Sequence, residues 1–362
     1  MSEETSSTNT KRLPRGTDSN PPNRFEPLRL ELDESLLGQW DEEESEAPKT
    51  QYFVDHSQSI ISYNDSPDLS FDAGLNPYRG CEHGCIYCYA RPTHEYAGFS
   101  SGLDFESKII IKPEAPHLLR KELASKRWKP QSIAMSGVTD CYQPIERQLK
   151  LTRGCLEVLA ECRNPVGIVT KNNLVTRDID LLQELARFHA TVVLVSITTL
   201  DTDLRKRMEP RTSPPKARLN AVRKLADAGI PVGIMMAPII PGLTDPEIPE
   251  ILKQAAEHGA QSAGYTILRL PYAVSGLFEN WLKQHFPDKA DKVLKRIESI
   301  RSGKRNSSEF GERMKGRGIF ADQIHQMFKV SARRYELNSR PPALSADHFR
   351  RPSTDQLTFE LL

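Results

Sequence analysis

Between residues 75 and 270, short runs of β-branched and other apolar residues alternate with longer stretches in which apolar positions recur every three or four residues. A period near two marks strands and a period near 3.6 marks helices. Strands are expected at 75–80, 132–136, 166–170, 191–198, 231–237 and 265–270. Helices are expected between them, at 115–126, 146–162, 177–190, 216–228 and 245–258. Gly229 stands just past one predicted helix, and Thr244, Asp245 and Pro246 stand where another should begin. Six strand-then-helix units predict an α/β fold of parallel strands, closed as a whole or partial barrel. A doubly wound open sheet has the same local pattern.

Polarity changes on either side of this core, which is set at 60–272. Residues 1–55 are rich in Ser, Thr, Asn, Pro and Glu, and from Glu31 to Glu46 there are eight acids and no base, so a largely disordered arm is expected. Residues 273–337 read as a helical, basic region with helices at 276–283, 290–300 and 319–335. Residues 338–362, with Pro341, Pro342 and Pro352, read as a disordered tail.

The 362 residues suffice for a sizeable core without staples. Lys and Arg number 49 against 48 Asp and Glu, a net charge of +1, which excludes a globally basic nucleic-acid binder. Charge is local instead. Between Arg301 and Arg340 ten Lys or Arg face four acids, a stretch suited to a nucleic acid or phosphorylated substrate, or else a solvated face balancing the acidic arm. No apolar run reaches the ~20 residues of a membrane span, and the polar start MSEETSSTNTKR lacks a signal-peptide core, so a cytoplasmic protein without membrane partners is expected.

Six cysteines are too few for a disulfide framework, and Cys81, Cys85 and Cys88 crowd together at spacing C-x3-C-x2-C just after the first predicted strand. Thiolates so placed converge on a soft metal centre. On a cubane iron-sulfur cluster three ligands leave one iron open to a small molecule. On zinc they call for a fourth ligand, His83 or His94, or a water. A zinc-stabilised nucleic-acid-binding module and an electron-transfer protein are therefore the alternatives to catalysis.

The triplet with Tyr87 ahead of its last cysteine resembles the radical S-adenosylmethionine superfamily. The segments SGVTDCYQPIERQLKLTR, GIVTKNNLVTRDIDLL, VSITTLDTDLRKRMEPR, GIMMAPIIPGLTD and ILRLP are similar to its branch around spore photoproduct lyase and the DNA repair photolyase-type proteins, over roughly residues 60–335. RGTDSNPPNRFE and FGERMKGRG are similar to a bacterial subgroup of that branch. The resemblance implies a partial (βα)6 barrel, a 4Fe-4S cluster on Cys81, Cys85 and Cys88, and an open iron that binds S-adenosylmethionine. It further implies an external low-potential electron donor, and cleavage of the cofactor to methionine and a 5'-deoxyadenosyl radical that takes hydrogen from a substrate.

Residue by residue, the resemblance places Ser136, Thr139 and Asp140 at the cofactor's aminoacyl end and makes Lys171 the cation opposite its carboxylate. Ser196 falls at the ribose, Tyr87 and Tyr89 against the adenosine, and Pro238, after Ala237, at the adenine edge. Arg207, Glu209 and Arg211 read as a charged loop that holds either a cofactor-site salt bridge or, by default, exposed ion pairs. The hydrogen-donating cysteine of spore photoproduct lyase corresponds to Gly137 here. Cys141, four residues later, is the remaining candidate for a catalytic thiol.

Overall fold

The computed structural model of the chain describes residues 15–25 and 49–352; the acidic stretch at 31–46 lies outside the described residues. Ten strands follow in chain order: β1 (Gln51–Val54), β2 (Ile61–Tyr63), β3 (Ala73–Leu75), β4 (Tyr78–Arg79), β5 (Lys108–Ile111), β6 (Ile133–Met135), β7 (Val166–Thr170), β8 (Thr191–Ser196), β9 (Val232–Ile239) and β10 (Ser262–Ile267). Seven form the main sheet, in the order β10-β9-β8-β7-β6-β3-β2. β3 and β6 to β10 are parallel to one another, while β2 pairs antiparallel with β3 at one margin.

Parallel neighbours require crossovers, and amphipathic helices supply them. Ala115–Ala124 precedes β6, Leu151–Cys162 precedes β7, Ile179–Ala186 precedes β8, Pro215–Asp227 precedes β9 and Ile248–Glu257 precedes β10. The parallel strands succeed one another across the sheet in chain order. A doubly wound fold would reverse that order at a switch point. With β2 and β10 as its margins, the sheet is a partial barrel. Its apolar side chains, among them Leu75, Ile133, Val166, Ile168, Val193, Val195, Val232 and Ile234, share one core with those of the covering helices.

Several boundaries differ from expectation for local reasons. The first strand divides at Asn76 and Pro77: β3 stays in the main sheet, while β4 joins β5 and β1 in a separate three-stranded sheet. The helix expected at 146–162 breaks at Lys150, which is left-handed at φ 53°. The carboxylate of buried Glu146 then accepts the amides of Thr152 (3.0 Å) and Arg153 (3.3 Å), capping the second segment.

The described parts of the polar ends are also more ordered than their composition suggests. In the arm, β1 pairs with β5, and residues 15–25 lie against the loop that follows the cysteines. In the tail, Asn338 hydrogen-bonds beside β10, and Arg351 donates to the carbonyl of Trp128 at 3.1 Å. Backbone and side-chain hydrogen bonds anchor these segments without an apolar pattern, so composition misreads them.

The C-terminal region is helical at Val274–His285, Pro287–Ser299 and Ile319–Arg334. Four of the ten basic residues between Arg301 and Arg340 are satisfied from within the chain. Arg301 is buried and donates to the carbonyls of Glu312 and Leu268; Arg305 pairs with Glu279 and Glu298, Arg313 with Asp68, and Arg317 with Glu312. No helix among the described residues is long and apolar enough to cross a membrane.

Candidate active site

Cys81, Cys85 and Cys88 occupy a loop that leaves β4 through Gly80 and turns again at Gly84, both with positive φ (76° and 65°) that glycine adopts without strain. Backbone bonds fix the loop: Cys81 N–H donates to Phe105 O (2.8 Å), Ile86 N–H to Met208 O (3.1 Å) and Cys88 N–H to Cys85 O (3.2 Å). Fully buried Arg91 braces it from behind, with Nε on Cys85 O (3.1 Å), Nη1 on Gly102 O (2.8 Å) and Nη2 on Glu106 (2.5 Å).

Cys81 and Cys85 are each 7% exposed, and Cys88 is half-buried. Burial, and next the charge of neighbouring Cys81, pushes the Cys88 thiol up to about 11. Burial and then Glu209 raise Cys85 well above its ordinary value, and both other cysteines add to the shift. Cys81 thus lies close enough to Cys85 and Cys88 to oppose their ionisation. Among the described residues no three His, Cys, Asp or Glu side chains gather tightly enough for a single metal ion. Three free thiols on one short loop are a ligand set that fits a polynuclear iron-sulfur group. Of the histidines that the zinc reading calls on, His83 is held by Asp140 and the ring of His94 packs between Phe99 and Phe105.

Behind the loop lies a buried charge network. The Tyr87 hydroxyl bonds to Glu209, which is fully buried and paired with fully buried Arg218. Arg218 also donates to Thr212 Oγ1 (2.6 Å) and to the Ser196 carbonyl (2.9 Å). Burial opposes the charge on Glu209, but Arg218 and then Lys171 hold it down to about 2. Lys171 sits just past β7, with Nζ 3.9 Å from Glu209 and 2.9 Å from the carbonyl of Ala237, next to Pro238. The carboxyl ends of β7, β8 and β9 are therefore linked through Lys171, the carbonyls of Ser196 and Ala237, and the Glu209–Arg218 pair.

Of the two readings of Glu209, the default of an exposed ion pair is corrected: the residue lies inside, because Arg218 reaches it from the next helix. Arg218 stands in helical register with Val222 and Leu225 on an apolar stripe, the one sequence sign that its charge is buried. Tyr87 turns its hydroxyl to Glu209 and Thr198 (3.3 Å), so it anchors the loop with that group.

The loop after β6 departs from expectation more strongly. Thr139 is buried, its hydroxyl spent on the Tyr78 carbonyl (2.9 Å). Asp140 accepts from Lys171 N–H (2.7 Å), Thr170 Oγ1 (2.8 Å) and Tyr142 N–H (2.9 Å), and lies 3.3 Å from His83 Nδ1. These four contacts make Asp140 a clamp between the cysteine loop and β7. Burial opposes a charged His83, yet Asp140 and then Cys81 raise it to about 10. Ser136, left-handed at φ 77°, accepts the Cys141 amide at its hydroxyl (2.9 Å).

Cys141 itself is fully buried in the main core, among the groups of Tyr142, Cys155 and Ile168 that share that cluster, whereas Cys81, Cys85 and Cys88 belong to other clusters. A thiol facing the site was expected; the residue instead packs as a small apolar side chain. Tyr89 is 49% exposed and donates to the carbonyl of Gly137 (2.7 Å), with Arg269 5.4 Å from its ring centre.

The model of the Radical SAM superfamily matches residues 75–255, half of the chain. The chain belongs to the radical SAM superfamily. Its match to an uncharacterized protein of Mycobacterium tuberculosis is 36% identical over 222 residues, 61% of this chain and 65% of that one. An uncharacterized protein of Methanocaldococcus jannaschii is 31% identical over 215 residues, 59% of this chain and 76% of the other. The chain thus spans a little under two thirds of the mycobacterial relative. In fold it is similar to spore photoproduct lyase complexed with dinucleoside spore photoproduct, with a TM-score of 0.56, 17% identity and 80% of each chain covered. A spore photoproduct lyase double mutant with bound AdoMet and the same dinucleoside gives a TM-score of 0.53 at 17% identity, again with 80% of each chain covered. Radical SAM membership implies a 4Fe-4S cluster and S-adenosylmethionine.

Proposed function

We propose that this chain is a radical SAM enzyme that holds a 4Fe-4S cluster on Cys81, Cys85 and Cys88 and acts on a nucleobase-bearing substrate. The observation that carries the reading is the convergence of three free, nearly buried thiols from one loop at the carboxyl side of six parallel strands. When bound, the cluster supplies an open iron for the amine and carboxylate of S-adenosylmethionine and the electron that cleaves its sulfonium bond.

The protein's own groups supply placement. Arg91 and Glu106 fix the backbone of the loop, and Asp140 ties it to β7 through His83 and the Lys171 amide. Lys171 brings a positive charge to the joined ends of β7 and β9, suited to a carboxylate that draws its ammonium off the Ala237 carbonyl. Burial of the loop keeps water from a reactive radical. On the open side stand exposed Tyr89 beside Arg269, and exposed Tyr272, over whose ring Arg24 lies at 3.6 Å. Aromatic faces beside guanidinium groups suit stacking on a base, and the lyase similar in fold is complexed with a dinucleoside. The repair reaction of that lyase is not carried over, because Gly137 stands at the position of its donor cysteine and Cys141 lies in the core.

The test is anaerobic purification followed by iron and sulfide assay, reduction with dithionite, addition of S-adenosylmethionine and detection of 5'-deoxyadenosine. A loaded cluster that yields none would overturn catalysis, and zinc in place of iron would overturn the cluster.

A further inference from the structure

The segment RGTDSNPPNRF, at residues 15–25, has no part in the chemistry above, yet it is seated against the cysteine loop by an unbroken series of contacts. Arg15 Nη1 donates to Glu106 O (2.6 Å), and the Gly16 amide donates to Glu106 Oε2 (2.8 Å). The other oxygen of the same carboxylate receives Arg91, and Arg91 Nε in turn holds Cys85 O. Gly16 lies so close to Gly84, the residue before Cys85, that a Cβ on Gly16 would overlap the Gly84 carbonyl; one on Gly84 would come within 2.6 Å of Glu106.

Beyond Gly16 the contact continues. Ser19 O accepts the Leu103 amide (2.9 Å), Asn20 exchanges two bonds with Asp104 (2.9 and 3.0 Å), and Ser100 Oγ donates to Pro21 O (2.7 Å). Asn23 Nδ2 donates to Glu95 O (3.0 Å), and Arg24 pairs with the carboxylate of Glu95, which is itself buried. Eleven residues with almost no apolar content are thus fixed by polar contacts to the loop and the stretch that follows it. Nothing in that composition would dock the segment by the hydrophobic effect. Its partners, Glu106, Arg91 and Glu95, are all fully buried and positioned to receive it.

We propose that residues 15–25 form a strap that clamps the cysteine loop and governs how long the cluster is retained, with Gly16 as the seat and the Glu106–Arg91 pair as the relay to Cys85. This rests on the reading that the three cysteines hold an iron-sulfur cluster. Opening of the strap would free the outer turn of the loop at Gly84 and expose the ligands to solvent, while the parallel sheet, which shares no bond with Gly16, stays closed.

The test uses the full-length holoprotein and two variants, Gly16→Val and a deletion of residues 1–25, all reconstituted anaerobically. Iron release to a ferrous chelator is followed by absorbance, and amide hydrogen exchange is read in parallel. The expected result is release at least about tenfold faster in both variants, as for loss of charge-assisted hydrogen bonds, with faster exchange confined to residues 80–106 and unchanged protection in β7 to β9. Release at the wild-type rate from a deletion variant of native circular dichroism overturns the strap, even if Gly16→Val fails to fold. A wild-type protein that takes up no iron-sulfur cluster overturns the parent reading, an outcome separable because it needs no variant.

Discussion

The hydroxyl of Tyr87, one residue before the third cysteine, is hydrogen-bonded to the carboxylate of Glu209, which lies 122 positions further along the chain. Through Glu209 the loop meets Arg218 and Lys171, so one carboxylate joins the cysteine loop to the far strands of the sheet. Glu209→Gln would leave Arg218 buried without its counter-charge, and truncating one partner of a buried pair costs about 3–5 kcal/mol. Urea denaturation of the cluster-free protein should show that loss. Tyr87→Phe, which leaves Glu209 with its arginine, should cost only about 1–2 kcal/mol.

The same carboxylate sets an acid limit. Glu209 is held at about 2 against an ordinary 4.5, so its contribution to stability is complete above pH 4.5 and is lost as pH falls toward 2. The difference in unfolding free energy between wild type and Glu209→Gln should be constant above pH 4.5 and shrink below it. A difference independent of pH over that window would show that Glu209 titrates normally.

Cys85 and Cys141 should separate cleanly. Cys85→Ala is expected to lose the cluster absorbance and all 5'-deoxyadenosine. Cys141→Ala, a small truncation in the core, should keep full iron content and cofactor cleavage and lower stability by about 1 kcal/mol. Loss of product formation on a nucleobase substrate in Cys141→Ala alone would restore the thiol to the mechanism.

Lys171→Ala should load iron normally and weaken cofactor binding about tenfold or more, as expected for removal of a charge-assisted contact. The readout is the change in the spectrum of the reduced cluster as S-adenosylmethionine is titrated. Unaltered affinity would confine Lys171 to its observed role, bridging Ala237 and Glu209.

The alternation of strands and helices was legible because each parallel strand buries apolar residues and each crossover helix carries a stripe, as in Val166–Thr170 and Pro215–Asp227. The cysteine triplet was legible for a different reason, since its ligands are local in sequence. Contacts made at a distance by polar groups were not. Glu209 gave no sign of its partner apart from an arginine on an apolar stripe, and Arg91 with Glu106 gave none. Residues 15–25 and the tail at 338–352 read as loose because hydrogen bonds and glycine-to-glycine contact leave no hydrophobic period. β1, with all four residues exposed, is held by pairing rather than burial.

Arg305, Arg313 and Arg317, three of the ten basic residues between Arg301 and Arg340, each end on a carboxylate of the same chain. Paired in this way they act as short dipoles, and little of their field survives past the Debye length of ~8 Å at physiological ionic strength. These three arginines therefore add little to long-range steering, and any salt-dependent encounter with a charged partner would rest on the other basic residues of the region.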